Sequence, residues 1–178
     1  MPRKLKNIEL NRLSVDEFKN ASKLPIHVVL DNVRSMLNVG SVFRTSDAFR
    51  LAHIHLCGIT ATPPHRDITK SAIGAEQSMS WSHHNNTTEV VKDLQSKGYH
   101  VVSVEQAEGA ASLKAFDCDP IKKYAIVLGN EVDGVSQEVI DMSDTILEIP
   151  QLGTKHSLNI SVCAGVVLWE AAKPHLHE

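Results

Sequence analysis

The segment from Tyr124 to Gly134 reads YAIVLGNEVDG, an apolar run that passes directly into a polar turn. The run from Tyr124 to Leu128 shows no alternation of polar and apolar residues, which predicts a strand covered on both faces inside a parallel sheet. Gly129 and Gly134 enclose the turn that follows. Because ligands of parallel α/β sheets bind beyond the carboxyl ends of the strands, this turn is a candidate ligand loop.

Short apolar runs of the same kind recur along the chain and predict further strands. They are Ile26–Leu30, His53–Ile59, His100–Val104 and Thr145–Ile149. Helical patterns occur at Ser41–Leu51, Thr88–Lys97, Ser136–Met142 and Leu158–Lys173. Strands that alternate with helices predict an α/β fold with a mostly parallel sheet flanked by helices. The longest remaining connection, Thr60–Ser71, is predicted to be a mobile loop.

The first 24 residues differ in charge from the rest of the chain. They contain six basic and three acidic side chains, whereas residues 105–148 contain three basic and ten acidic ones. Ser14 and Glu17 have the spacing of a capping box, which predicts a short helix. We therefore expect a basic N-terminal helical extension, residues 1–24, followed by a single domain, residues 25–178.

Composition narrows the class of protein. The 178 residues are 42% hydrophobic, which is enough for a substantial core. The longest apolar run, Ile160–Trp169, is about half of the ~20 residues that a membrane span requires, and three widely spaced cysteines predict neither a disulfide framework nor a zinc site. A soluble, cytoplasmic protein is expected. With a net charge of −3, a nucleic-acid partner requires a locally basic face.

Three short motifs carry the polar residues that chemistry needs. They are NVGSVFR at Asn38–Arg44, LGNEVDG at Leu128–Gly134 and IPQLGTKHSLN at Ile149–Asn159. Each begins near the carboxyl end of a predicted strand, so we expect the three to assemble into one site.

Common enzyme signatures are absent. Val135 stands where a phosphate loop requires lysine, and neither a dinucleotide-binding glycine motif nor a serine-hydrolase elbow follows any strand. The paired histidines are His53/His55, His83/His84 and His175/His177. None of these pairs has the i, i+4 spacing that brings two imidazoles to one metal on a helix, so no metal is expected.

The three motifs closely resemble those of the SpoU RNA ribose 2'-O-methyltransferases of the SPOUT superfamily, and the likeness covers residues 25–173. The resemblance implies a deep trefoil knot in the C-terminal part of the chain, over about residues 124–173. Protein chains do not usually thread through their own loops, so this would be an exception. The resemblance also implies that S-adenosyl-L-methionine is the cofactor. Carried over position by position, it assigns cofactor contacts to Gly129, Ile149 and Leu158, and to Val104 at the end of an earlier strand.

The same resemblance assigns the chemistry. Arg44 matches the catalytic arginine and is expected to hold the phosphate beside the target ribose, because a guanidinium is a poor base in water but a good bidentate phosphate ligand. Either that phosphate or Arg44 itself, in an unusual environment, is expected to remove the proton of the 2'-hydroxyl. Asn38 is expected to orient Arg44 and its loop. Glu131, Ser157 and Asn159 are expected to hold the hydrogen-bond network of the active site and the nucleotide.

The function implied is RNA 2'-O-ribose methylation of tRNA or rRNA. Two alternatives remain open at this point, a catalytically inactive RNA-binding or assembly protein of the same fold, and an RNA base methyltransferase. The resemblance also implies a homodimer, for which the apolar stripe Ile160, Cys163, Val167 and Ala171 of the last helix is the candidate interface.

Overall fold

The computed structural model describes residues 1–176 and contains one seven-stranded sheet. The strands are β1 (Leu24–Asp31), β2 (Leu51–Cys57), β3 (Trp81–His84), β4 (Tyr99–Val104), β5 (Ala111–Ser112), β6 (Lys123–Leu128) and β7 (Thr145–Glu148). Their order across the sheet is β3-β2-β1-β6-β4-β7-β5, and every pairing is parallel.

Within residues 1–176, seven α-helices connect or flank these strands. They are α1 (Val15–Asn20), α2 (Met36–Ala48), α3 (Arg66–Ala72), α4 (Ala75–Ser78), α5 (Thr87–Ser96), α6 (Gln137–Met142) and α7 (Ile160–Ala172). Short 3₁₀ turns occur at Asn7–Leu10, Leu113–Ala115 and Lys173–His175. None of the helices in residues 1–176 has the length and apolar character to cross a bilayer.

The central strands β1, β2, β4 and β6 bury residues on both faces because helices cover the sheet from two sides. One core lies between the sheet and helices α2 and α7, where Val28 and Ile126 meet Phe43 and Leu168. The other core lies on the opposite face of the sheet, under α5 and α6. Val127 packs there with other strand residues, such as Val29 and Val101, whose side chains point to this face. The predicted α/β fold with a parallel sheet flanked by helices is therefore confirmed.

The five strands predicted from apolar runs are all present, and no end is shifted by more than two residues. Helix α2 begins earlier than the predicted Ser41, because the Ser35 side chain caps it by accepting a hydrogen bond from the Asn38 backbone. Helix α7 begins later than the predicted Leu158, because Asn159 is its N-cap. Ser157 and Leu158 thus remain in the preceding loop.

The connection Thr60–Ser71 is a loop only in its first half, so its prediction was partly wrong. Helix α3 starts at Arg66, where the His65 ring accepts a hydrogen bond from the backbone of Asp67. Ile68 and Ala72 then anchor the helix in the core. Asp67 in the first turn also favours a helix start.

The N-terminal residues contain the predicted capping box. The Ser14 hydroxyl accepts from the Glu17 backbone while the Glu17 carboxylate accepts from the Ser14 backbone. Helix α1 packs against α4 and buries Phe18 in the main core. The separation of residues 1–24 as an extension stays a prediction, although its second half is anchored to the domain.

The apolar stripe proposed as an interface is largely core. Ile160, Val167 and Ala171 are buried inside the chain, and Cys163 is partly buried. The reason is that α7 packs against α2 and the sheet through this stripe. A different face of α7 remains exposed, with Val162, Val166 and Trp169 spaced one turn apart.

A chain of hydrogen bonds crosses the sheet on the α5 side. Tyr99 Oη lies 2.9 Å from His27 Nε2, and His27 Nδ1 lies 2.9 Å from His55 Nε2. His55 Nδ1 lies 3.2 Å from His84 Nε2, and His53 joins through Ser82. Among residues 1–176, no three His, Cys, Asp or Glu side chains are arranged to hold a metal ion. His177 lies outside the described residues.

Candidate active site

A cavity of about 610 Å³ opens at the carboxyl ends of β4, β6 and β7. The loop after β6 and the loop after β7 form its walls, and the start of α7 forms its base. Val104, Gly129, Ile149 and Leu158, the four residues assigned to cofactor binding, all line it. Their contacts with a cofactor stay a prediction.

Three residues from the three separate motifs meet beside this cavity. Asn38 Nδ2 donates to Glu131 Oε1 at 2.9 Å, and Asn159 Nδ2 donates to Asn38 Oδ1 at 3.2 Å. The Glu131 carboxylate also accepts from the backbone of Arg34 and Ser35, at 2.9 and 3.0 Å. The start of α2, the loop after β6 and the start of α7 are thereby tied together.

The Glu131 carboxyl is ionised at neutral pH. Burial raises its pKa, but the hydrogen bonds from Asn38 and from the backbone of Arg34 and Ser35 together lower the pKa by more, so the net value lies below the ordinary one. A carboxylate with its lone pairs engaged in this way is a weak proton acceptor. Glu131 therefore holds the site together rather than removing a proton.

Two assigned residues stand apart from this network. Ser157 lines the cavity in the exposed loop before α7. Arg44 is exposed on α2, six residues beyond Asn38 and thus ~9 Å farther along the helix axis. Within residues 1–176, no hydrogen bond or salt bridge fixes its guanidinium, which leaves it available to an anionic partner.

The motif glycines are explained by close backbone approaches. A Cβ on Gly129 would lie 2.1 Å from the Gly134 carbonyl carbon, because the loop folds back on itself through paired Asn130 and Gly134 backbone hydrogen bonds. Gly134 has φ +69°. A Cβ on Gly40 would lie 2.3 Å from the carbonyl oxygen of Ile68, so this glycine lets α2 and α3 cross closely.

Sequence reasoning missed Glu105 and Gln106, which also line the cavity. They follow Val104 directly at the carboxyl end of β4. The signal was available, because polar residues immediately after a central strand lie at the same edge as the other loops.

The lining suits a cationic cofactor with an apolar part. Glu105, Glu131, Asp133 and Glu148 contribute carboxylates, while Leu128, Leu147, Ile149 and Ile160 contribute apolar surface. S-adenosyl-L-methionine carries a sulfonium, an ammonium and an adenine, so these side chains fit it, and the volume is within the usual range for ligand pockets.

Cys163 also lines the cavity, and it is not a nucleophile. Burial raises the pKa of its thiol to about 11, and the Glu105 carboxylate adds to the shift. Because only the thiolate attacks, this cysteine is inert at neutral pH.

Comparison with solved structures identifies the class of fold. The S-adenosylmethionine-bound rRNA methyltransferase of Sinorhizobium meliloti superposes with a TM-score of 0.80 at 27% identity, over 90% of this chain and 61% of that one. The TrmH/SpoU tRNA-modifying enzyme of A. aeolicus has the same fold, with a TM-score of 0.78 at 22% identity, over 89% of this chain and 81% of that one. The fold is therefore that of the SPOUT methyltransferases.

The family follows from the sequence. The model of the SpoU rRNA Methylase family matches residues 25–169, and this chain belongs to that family. The resemblance drawn from the three motifs is thereby confirmed.

Two relatives illustrate the family's range. The chain is 29% identical over 168 residues to the 23S rRNA (guanosine-2'-O-)-methyltransferase RlmB of Vibrio parahaemolyticus, covering 94% of this chain and 67% of that protein. It is equally similar to the tRNA (guanosine(18)-2'-O)-methyltransferase of Thermus thermophilus, 29% over 168 residues, covering 94% of this chain and 84% of the other.

Proposed function

We propose that this protein is an S-adenosyl-L-methionine-dependent RNA 2'-O-ribose methyltransferase that acts on tRNA or rRNA. The observation that carries the proposal is the hydrogen-bonded set Asn38, Glu131 and Asn159, in which three distant motifs meet beside a cofactor-sized cavity. The names of the two relatives, one for rRNA and one for tRNA, support the RNA class without choosing between them.

When bound, S-adenosyl-L-methionine supplies an electrophilic methyl group on a sulfonium. The walls of the cavity would hold it through backbone groups around Gly129, Ile149 and Leu158, and Val104 would lie beside it. The carboxylates of the lining favour its positive charge.

Arg44 has the RNA as its partner in this proposal. Its exposed guanidinium would bind the phosphate beside the target ribose in a bidentate manner. That contact positions the 2'-hydroxyl, whose proton passes to the phosphate or to Arg44 itself, and most of the rate gain comes from this positioning. Ser157 and Asn159 would hold the nucleotide from the other side, and Glu131 and Asn38 keep the loops in place.

A homodimer is part of the proposal. Helix α7 leaves Val162, Val166 and Trp169 exposed by 53%, 38% and 47%, an apolar face that a second copy would cover. Leu37 on the neighbouring helix α2 is exposed as well, and it lies one heptad before Arg44 on the same side of that helix. A partner on this face would therefore lie close to Arg44.

The trefoil knot over residues 124–173 and the cytoplasmic location also belong to the proposal. The family membership of the chain supports the knot. The three free cysteines are in keeping with a reducing compartment.

The test is methyl transfer to RNA. Purified protein is incubated with methyl-labelled S-adenosyl-L-methionine and with tRNA and rRNA from cells that lack it, and the RNA is then digested and analysed by mass spectrometry. We expect a 2'-O-methylated nucleoside at one position of one RNA. A methylated base would instead favour the base methyltransferase.

Calorimetry with S-adenosyl-L-methionine distinguishes the enzyme from the other alternative, an inactive protein of the same fold. An enzyme binds the cofactor, whereas an inactive RNA-binding or assembly protein has no need of it. Failure to bind the cofactor, together with failure to methylate either RNA, would overturn the proposed function.

A further inference from the structure

Glu105 holds the loop that follows β6. Its carboxylate Oε2 accepts a hydrogen bond from the backbone N–H of Val135 at 2.9 Å, and Oε1 accepts one from the backbone of Gln106 at 2.8 Å. A Cβ on Gly134 would lie 2.1 Å from Glu105 Oε2. The carboxylate thus occupies the space that glycine leaves open, and it fixes the far end of the Gly129–Val135 loop to the end of β4.

Gln106, the next residue, holds the loop that follows β7. Its Nε2 donates to the backbone carbonyl of His156 at 2.6 Å. Within the described part of the chain, this is the only hydrogen bond that reaches any residue from 151 to 158. Residues 152–159 are all exposed, so little packing restrains this loop.

The two loops held in this way are the two walls of the cavity. Gly129 and Asn130 belong to the first loop, and Ser157 and Leu158 belong to the second. Two consecutive residues at the end of one strand therefore connect both walls. The backbone of Glu105 is itself fixed, because its N–H donates to the Leu147 carbonyl of β7 at 3.0 Å.

We propose that Glu105 and Gln106 form a clasp that sets the distance between the two loops and thereby determines the affinity for the cofactor. They are positioning residues, since each acts through the backbone of a loop. The inference rests on the proposed function, because it takes S-adenosyl-L-methionine as the molecule between the loops. It assigns to the end of β4 a task separate from that of Asn38, Glu131 and Asn159, which tie the start of α2 to the loop after β6 and to the start of α7.

The clasp makes a specific demand on the side chain at each position. Glutamine at position 105 would place an amide N–H₂ against one of the two backbone N–H donors, so one hydrogen bond would be lost. Methionine at position 106 would keep the length of the side chain and lose only the donor to His156. Both changes are small in volume, and Gln106 is exposed, so the fold is expected to persist.

The experiment compares Glu105→Gln and Gln106→Met with two matched controls. Glu108→Gln removes the same charge from an exposed site three residues away, and Gln77→Met makes the same exchange at an exposed residue of α4. The dissociation constant for S-adenosyl-L-methionine is measured by calorimetry, and kcat and KM are measured for cofactor and RNA. Melting temperatures are recorded without cofactor.

We expect each clasp variant to weaken cofactor binding about tenfold, the usual effect of losing a hydrogen bond at a binding site. The KM for the cofactor should rise, while kcat and the KM for RNA stay within about twofold of the wild type. If the two residues served folding alone, the variants would have lower melting temperatures, and the KM for the cofactor would not rise selectively over kcat and the KM for RNA.

Two outcomes are distinguishable as failures. If the wild type binds the cofactor and both variants bind it as tightly, the clasp is wrong and the proposed function stands. If the wild type binds no cofactor, the proposed function and the clasp both fall. Should Glu105→Gln not fold, Gln106→Met alone decides the matter.

Discussion

Asn38 and Glu131 are separated by 93 residues in the chain and by 2.9 Å between Nδ2 and Oε1 in the fold. The contact joins the first turn of α2 to the loop after β6. Because Glu131 also accepts from the backbone before α2, the carboxylate fixes the whole entry to that helix.

Glu131→Gln should lower kcat/KM for RNA methylation by about tenfold to a hundredfold, the effect of losing charge-assisted hydrogen bonds. A glutamine retains one acceptor but turns an N–H₂ toward a donor. The measurement is a steady-state assay on the identified RNA. Glu138→Gln, exposed on α6, is the control and should retain wild-type activity. If Glu131→Gln were as active as Glu138→Gln, Glu131 would have no role in the reaction.

Arg44→Ala should reduce methyl transfer about a hundredfold or more, the usual cost of removing a group that stabilises the transition state. The dissociation constant for the cofactor should stay within about twofold, because Arg44 does not line the cavity. Activity assays and calorimetry are compared on the same preparation, with Lys92→Ala on α5 as the charge control. Full activity of Arg44→Ala would contradict the role given to this residue.

Gly40→Ala should destabilise the domain by about 1–3 kcal/mol, because the added methyl overlaps the Ile68 carbonyl and forces α2 and α3 apart. For a chain of this size the melting temperature should fall by about 3–10 °C. Ser41→Ala, the next residue on the same helix, should change it little. A Gly40→Ala variant as stable as the wild type would mean that α3 moves freely.

Val166→Glu together with Trp169→Glu should convert a dimer into a monomer, because burying two carboxylates in an apolar interface is costly. Light scattering on the purified protein gives the mass directly. Ile121→Glu, at an exposed apolar residue in the turn before β6, should leave the dimer intact. A wild-type protein that is monomeric at micromolar concentration would refute this interface.

The histidines of the sheet should make folding stability depend on pH. Burial, with repulsion from neighbouring charged groups, lowers the pKa of His27 and His53 to about 4 and that of His55 to about 2. In the unfolded chain the same histidines have an ordinary pKa near 6.5. Below that pH the unfolded chain therefore binds more protons than the folded chain. The stabilising contribution is therefore complete above pH ~6.5 and is lost as the pH falls towards 4.

Urea unfolding at pH 7.5 and pH 5 measures this dependence. The free energy of unfolding should be lower at pH 5, and the difference between the two values should shrink in His55→Gln. His83→Gln, exposed on the neighbouring strand, is the matched control. An unchanged difference in His55→Gln would show that the buried rings do not cause the effect.

Most of the fold was predictable because five strands are continuous apolar runs. The strand Trp81–His84 was missed, since three of its four residues are Ser or His, and its polar side chains lie in the hydrogen-bonded array of the sheet. The strand at Ala111–Ser112 is too short to have a pattern. Helix α3 was missed because its apolar residues are few, and Gly40 on another helix provides the space for it.

The candidate site was predictable only where its residues belong to sequence motifs. Asn38, Glu131 and Asn159 belong to motifs, and the fold brings them together as the motifs implied. Glu105 and Gln106 carry no motif, and their partners are backbone groups 30 and 50 residues away. The contact of Gln106 with the backbone of His156 leaves no mark on the sequence of its partner. Only the position after β4 was informative.

The strand order has a consequence for synthesis on the ribosome. Strand β6 lies between β1 and β4, yet both neighbours leave the ribosome before Lys123 does. Until then β1 and β4 have no partner on the sides that later face β6, and pairing with each other would close the slot that β6 must enter. The nascent chain therefore carries the unpaired edge of β1 from Asp31 until Lys123 is made, and that of β4 from Val104 onward, and unpaired edges of this kind favour aggregation.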